Sequence, residues 1–217
     1  MNLGRTMRLV FGVGALVAVG VMVGARYVPT SRASMADDAR ALHVPQAKGP
    51  ITLDGELGEA AWLRATARTN AFVTESGDDP ARPYSDARML WGGEQLYVAL
   101  YAADEDIRPG DLFHVELEGY GKEHVRRILD VAPFGPATEG GIRFGRDLDG
   151  TVGDASDDDE EWVVEVAIPL RSLGLTGQPG ERIAFSVHRC DTPKGGTRFC
   201  GSWGEVSSRV LVLDGAE

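Results

Sequence analysis

What the chain lacks narrows it first. It has only two cysteines, and they form no CxxC or CxxCH pair, so cysteines alone cannot supply a four-ligand zinc site or a haem attachment. Its four histidines, His43, His114, His124 and His188, show no HxxxH spacing, and no GxSxG nucleophile elbow is present. It also lacks basic charge: 22 Lys and Arg face 33 Asp and Glu in 217 residues, a net charge of −11. A nucleic-acid binder needs the opposite sign to displace counterions from phosphates. Aromatics are sparse at 7%, but four are Trp and 43% of residues are hydrophobic, which is enough for a core and argues against disorder. The 28 Gly and 11 Pro predict many turns and favour an all-β fold over a helical bundle.

One long apolar run is present. Residues 9–23, LVFGVGALVAVGVMV, carry no charge and follow Arg5 and Arg8. A short apolar run behind a basic start is the pattern of an export signal. Gly24, Ala25, Tyr27 and Val28 could lengthen it toward the roughly 20 residues of a membrane span. No clear small-x-small cleavage site follows, so the expectation leans toward an uncleaved anchor over residues 1–28. No cysteine near residue 25 offers a lipid attachment point. Either way the rest of the chain is expected outside the cytoplasm: at the periplasmic face of the inner membrane, or secreted if the segment is cleaved. The membrane is touched only through this segment. Residues 1–34 hold four Arg and no acid, which leaves 18 basic and 33 acidic residues beyond them, a net −15. Such a domain repels anionic lipid and nucleic acid, and its natural charged partners are cations, calcium first. Acid that merely keeps the surface soluble is the alternative.

Residues 29–48 are small and polar and read as a linker, so the domain is expected over 49–215. Asp54 is expected to cap a short helix running to Leu63, with Trp62 and Leu63 packed on the core. Residues 87–91 and 96–103 flank Gly92-Gly93-Glu94 as a hairpin, and the second strand, apolar on both faces, should be central. In residues 112–118, Phe113, Val115 and Leu117 alternate with His114, Glu116 and Glu118. Further strands are expected at 125–131, at 162–168 where Pro169 ends the run, at 183–190, 200–203 and 210–213. Period-two strands at this turn spacing predict an antiparallel β-sandwich.

Several of these segments together resemble family 9 carbohydrate-binding modules. They are Ile51-Thr52-Leu53-Asp54-Gly55 with Glu59 and Trp62, then residues 87–107, 162–174 and 183–203, in the family's order. The resemblance implies a sandwich related to DOMON-type folds that binds soluble sugars or polysaccharide ends, commonly beside a glycoside hydrolase and with structural calcium. Sugar-binding members hold the ring between two Trp, one just before the strand like 112–118 and one in a loop after the Ser202-Trp203 pair. Here those places read Arg108-Pro109-Gly110-Asp111 and Gly204-Glu205-Val206-Ser207-Ser208, with no Trp, while Trp62, Trp91, Trp162 and Trp203 sit at core positions of the pattern.

Substitute aromatic platforms are Tyr84, Tyr120 and Phe134, which could equally pack on the sandwich edge. Arg108, Glu116, Glu118, Arg126 and Asn70 could bind hydroxyls. Glu116 and Glu118 project together, as an ordinary solvated strand face also would. Asp147 and Asp149, with Asp154 and Asp157, resemble a calcium loop, since clustered carboxylates supply the oxygens calcium needs. It is not an EF-hand, because Val152 stands where glycine is required. A solvated acidic loop fits the same residues. Asp104 and Asp106 form a second calcium candidate. Cys190 and Cys200 bracket a Gly-rich turn between two strands and read as a disulfide in an exported protein; a redox or metal pair would need closer spacing or more ligands. Glu116 and Glu165 are conceivable glycosidase carboxylates, but nothing singles them out. The reading is a non-catalytic carbohydrate-binding module of the cell envelope, with ligand-binding residues Tyr84, Arg108, Glu116, Glu118, Tyr120 and Arg126. Its alternatives are an interaction or scaffold module for an envelope protein partner, or a glycoside-hydrolase-associated enzyme.

Overall fold

The computed structural model describes residues 41–74, 79–203 and 209–215. The segment 1–28, expected to be an export signal or anchor, the first part of the expected linker and the loop 204–208 lie outside the described residues. Among those described, no helix is long and apolar enough to cross a membrane.

Two sheets face each other. The first contains β1 (Leu42–Val44), β3 (Val73–Thr74), β6 (Leu112–Tyr120), β7 (His124–Val131), β11 (Arg182–Asp191), β12 (Phe199–Trp203) and β13 (Val210–Leu213). Its spine is β11, which pairs with β6 on one side and with β13 and then β12 on the other; β7 forms the outer edge beyond β6. The second sheet runs β2 (Ala67–Arg68), β4 (Ser85–Gly92), β5 (Gln95–Ala103), β10 (Glu161–Pro169), β9 (Ile142–Asp149) and β8 (Thr138–Glu139). The expected hairpin is present, with Gly92 opposite Gln95, and β5 is central between β4 and β10. Its two apolar faces explain that place: Leu96, Val98 and Leu100 enter the main core, while Tyr97 and Ala99 meet a second cluster around Trp62 on the sheet's other side. Trp162, Val164, Val166 and Ile168 all point inward, as their alternation predicts.

Three local expectations change. Part of the expected linker is structure: β1 pairs in parallel with β13, and Ala47 N–H donates to the Trp91 carbonyl (2.7 Å), so the fold begins before Gly49. The helix α1 spans only Ala60–Leu63. Asp54 does not cap it, because its carboxylate accepts from Glu56 N–H three residues earlier in the turn (3.0 Å), and Leu63 is 69% exposed. Residues 51–62 instead form a strap laid across the outer face of the second sheet. It passes so close that a Cβ on Gly145 would strike the Leu53 carbonyl, which is why glycine stands there. Finally, Asp147 and Asp149 begin no loop; they belong to strand β9.

The strap is pinned by Glu165, which is fully buried. Its Oε2 accepts from Asp54 N–H (3.0 Å) and Gly55 N–H (2.8 Å), and its Oε1 from the Trp62 indole N–H (2.6 Å). A buried carboxylate is tolerated when donors satisfy it, and all three partners donate.

Cys190 and Cys200 sit directly opposite each other on β11 and β12 and form a disulfide, with Cα atoms 4.1 Å apart. Closing a loop of sequence separation 10 stabilises by about 3 kcal/mol on the loop-entropy model. Native protein should therefore resist thiol reagents at both cysteines, and reduction should lower its urea midpoint; stoichiometric labelling of unreduced native protein would contradict the bond.

Candidate functional site

Strands β6 and β7 carry most of the residues expected to bind ligand. The inward positions Phe113, Val115 and Leu117 fix β6, so His114, Glu116, Glu118 and Tyr120 must share its outer face. The antiparallel register then sets Asp130 opposite His114, Arg126 opposite Glu118, and His124 opposite Tyr120. The side chains join into one strip. Arg126 Nη2 donates to Glu116 Oε2 (2.5 Å), and Glu116 Oε1 meets His114 Nε2 (3.3 Å). His114 Nδ1 lies 2.6 Å from Asp130, and His124 Nδ1 lies 3.2 Å from Glu118. The Tyr120 ring leans on His124 with centroids 5.2 Å apart, and His114 lies 6.3 Å from His188 on β11. Burial alone would raise the Glu116 carboxyl, but hydrogen bonds and charge from Arg126 and His114 outweigh it and hold it below its ordinary value. The hydrogen bond to Asp130 raises the His114 imidazole, partial burial opposing and Glu116 assisting. The strip offers fixed carboxylate oxygens beside fixed N–H donors, a set suited to hydroxyls, which donate and accept at once. This geometry was legible in the alternation of 112–118; the histidine partners were not singled out.

The remaining expected residues lie elsewhere. Tyr84 is on the other sheet. Arg108 belongs to a buried cluster at one end of the sandwich, bound to Asp106. Asn70 takes a left-handed turn conformation (φ 60°) after β2, and Phe134 is an exposed loop aromatic.

That buried cluster is the main charged site that sequence reasoning left incomplete. Arg189 and Asp191 continue the inward parity of Ile183, Phe185 and Val187, and both are buried. Arg189 Nη2 donates to Asp104 Oδ2 (2.9 Å) and Asp191 Oδ1 (2.7 Å), while Nη1 donates to Ser85 Oγ (3.0 Å) and the Ala103 carbonyl (2.7 Å). Asp104 also accepts from the Trp162 indole (3.0 Å) and Asp106 N–H (3.1 Å). Asp111 accepts from Arg108 N–H (2.6 Å) and Thr192 N–H (3.1 Å). Asp191 Oδ2 has no partner. Burial pushes the Asp191 carboxyl up to about 7; Arg189 pulls it down, and Asp104 and Asp111 push it further up.

Asp104, Asp111 and Asp191 are the one group of three or more acids among the described residues whose ligand atoms all lie within 4.8 Å. Calcium takes six to eight oxygens. Here a guanidinium bridges two of the three carboxylates, donors occupy every oxygen but one, and the last is suited to a proton shared with Asp104. The donor set does not fit calcium. The expected ligands Asp147, Asp149, Asp154 and Asp157 do not gather among themselves. Asp147 and Asp149 are exposed on β9, and Asp154 is exposed and bound by the Ser156 hydroxyl (2.6 Å). Asp106 does neighbour Asp104, but its carboxylate holds Arg108.

No family model matches the chain, and no curated protein matches it. Solved structures do. A carbohydrate-binding module family 9 from Caldicellulosiruptor kristjanssonii in complex with cellotriose shares 13% identity at a TM-score of 0.55, covering 82% of this chain and 95% of that one. The same organism's module in complex with glucose gives 13% identity and a TM-score of 0.53, over 81% and 97%. At that identity the likeness speaks for the fold, and the fold this chain builds is the family 9 carbohydrate-binding-module sandwich.

Proposed function

We propose that this chain is a non-catalytic carbohydrate-binding module of the cell envelope, exported through its N-terminal apolar segment and held at, or released from, the outer side of the inner membrane. Its sugar lies on the strip along β6 and β7, at the edge of the sandwich. The observation that carries this reading is the convergence of Glu116, Glu118, Arg126 and Tyr120 on one hydrogen-bonded outer face. The sandwich beneath resembles modules solved with cellotriose and with glucose. Calcium is no part of the proposed site.

A glycan array tests it. Saturable binding is expected, competed by free sugar and equal with calcium or chelator present. Glu116→Ala and Arg126→Ala should each weaken it about tenfold or more, since one charge-assisted hydrogen bond is worth about 1.5–3 kcal/mol. No saturable binding to any glycan would overturn the reading. A protein partner is then favoured by one observation: among the described residues β7 pairs only with β6, and Ile128 on its outer face is 52% exposed, so a strand edge with an apolar contact is offered.

A further inference from the structure

We propose a second, separate sugar platform on the outer face of the other sheet, built from Tyr84 just before β4, Asp86 and Arg88 on β4, Tyr101 on β5 and Glu161 on β10, and fitted to a neutral glycan. The reading of the protein as a carbohydrate binder supplies the ligand class; the location stands on its own observations.

The register assembles it. Alternate residues of β4 share a face, and Ala87, Met89 and Trp91 point into the core, so Tyr84, Asp86 and Arg88 point out. Tyr101 lies directly opposite Asp86. The strap of residues 51–62 covers the part of this face around Glu165 and Gly145 and stops short of Tyr84, which is 45% exposed. The two tyrosine rings are 6.0 Å apart and tilted by 58°, a shallow aromatic trough. Both hydroxyls are held: Tyr84 donates to Asp86 Oδ2 (2.8 Å), and Tyr101 bonds Glu161. The rings are thereby fixed in place, which reduces the entropy lost when a sugar stacks on them.

The polar groups beside the rings are incomplete. Asp86 is only 6% exposed, yet its Oδ1 has no hydrogen-bond partner. Arg88 Nε, 3.5 Å away, has none either. The two charges attract at that distance without a hydrogen bond between them. Those two atoms are enclosed, so the group a sugar hydroxyl can meet beside the rings is the exposed part of the Arg88 side chain, which is 21% exposed and carries further N–H donors. An anion would satisfy Arg88 alone and repel Asp86 and Glu161, so acidic or sulfated glycans are disfavoured. A separate depression of about 380 Å³ lies at the end of the sandwich, bordered by Arg82 and Pro83 just before Tyr84 and lined by the acids Asp104, Glu105, Asp159 and Glu160, which likewise disfavour an anion nearby.

Tyrosine-ring NMR on the whole exported domain tests this, with neutral cello-, xylo-, manno- and malto-oligosaccharides and a sulfated dextran as probes. Saturable shifts of the Tyr84 and Tyr101 ring signals are expected with a neutral oligosaccharide and not with the sulfated one. Tyr84→Ala should weaken the binding read from the Tyr101 ring at least tenfold with an unchanged melting temperature, because the Tyr84 ring is half exposed; Asp86→Asn should weaken the shifts of both rings. Glu116→Ala with Arg126→Ala should leave them in place. Shifts confined to Tyr120 would refute the platform while leaving the strip on β6 and β7 intact. Binding of sulfated dextran at Tyr84 would refute the neutral-sugar assignment. An absence of shifts with every glycan would refute the platform and the carbohydrate reading together.

Discussion

Replacing Arg189 with leucine should cost the domain about 3–5 kcal/mol at pH 8, and clearly less at pH 5. The guanidinium is the positive charge facing Asp104 and Asp191, with Asp111 beside them, in a space where ligand atoms lie within 4.8 Å. Removing one partner of a buried ion pair leaves an uncompensated charge, and here it leaves a group of carboxylates. Against a typical domain stability of about 5–15 kcal/mol, that loss brings the fold to its margin. The pH dependence follows from protonation. Asp191 titrates near 7 when folded, raised by burial despite Arg189, and near 3.8 in its ordinary state. The folded protein therefore binds this proton more tightly, and its contribution is complete below about pH 4 and lost as pH rises through about 7. Without Arg189 the one influence lowering that pKa is gone, so the window extends upward. Urea midpoints of wild type and variant across pH 5–8 measure it. A penalty as large at pH 5 as at pH 8 would show that lost packing over Trp162, not charge, is responsible.

Trp62→Ala should lose about 3–5 kcal/mol, the range for a fully buried large aromatic. Two effects add. The indole fills the small core between the strap and the outer face of β4 and β5, with Ala61, Ala65, Leu90 and Ala99. Its N–H is also the donor to Glu165 Oε1, a buried carboxylate with no other partner there. Trp62→Phe separates the two: most of the volume stays, and the orphaned oxygen alone should cost about 1–3 kcal/mol. Glu165→Gln turns an amide N–H₂ toward the indole N–H, donor against donor, so Trp62→Phe and Glu165→Gln should be far from additive. Equal stabilities for Trp62→Phe and wild type would falsify the pinning role of Glu165.

The sequence revealed those elements in which one face is apolar and the other polar without interruption. Residues 112–118 alternate cleanly, and their strand and its facing follow from that; residues 162–168 are apolar on both faces, which marks a buried strand but not its partners. Strand β9 was hidden because Arg146 occupies an inward position; it is tolerated there because its Nε and Nη1 donate to the carbonyls of Ala132 and Pro136. Strand β1 was hidden because three residues carry too little pattern to register, and its pairing with β13 spans almost the whole chain. The buried cluster left a signal that could have been used. Arg189 and Asp191 fall on the inward parity of a strongly apolar strand, and charges at core parity imply a partner across the interior. Asp104 was singled out only as a cation ligand, since a sequence does not say whether the nearest cation is a metal or an arginine.

The parallel pairing of β1 with β13 has a mechanical consequence. Parallel neighbours start at the same end, so the chain before Leu42 leaves from one end of the pair and the chain after Leu213 from the other. Tension between the two termini therefore runs along the strands and loads their hydrogen bonds in shear, all at once, instead of opening them one by one. The same load reaches the second sheet through the Ala47 and Trp91 backbone bond and the Trp91 indole on the Asp214 carbonyl. A sandwich pulled between its two termini is therefore stretched along its stiffest direction.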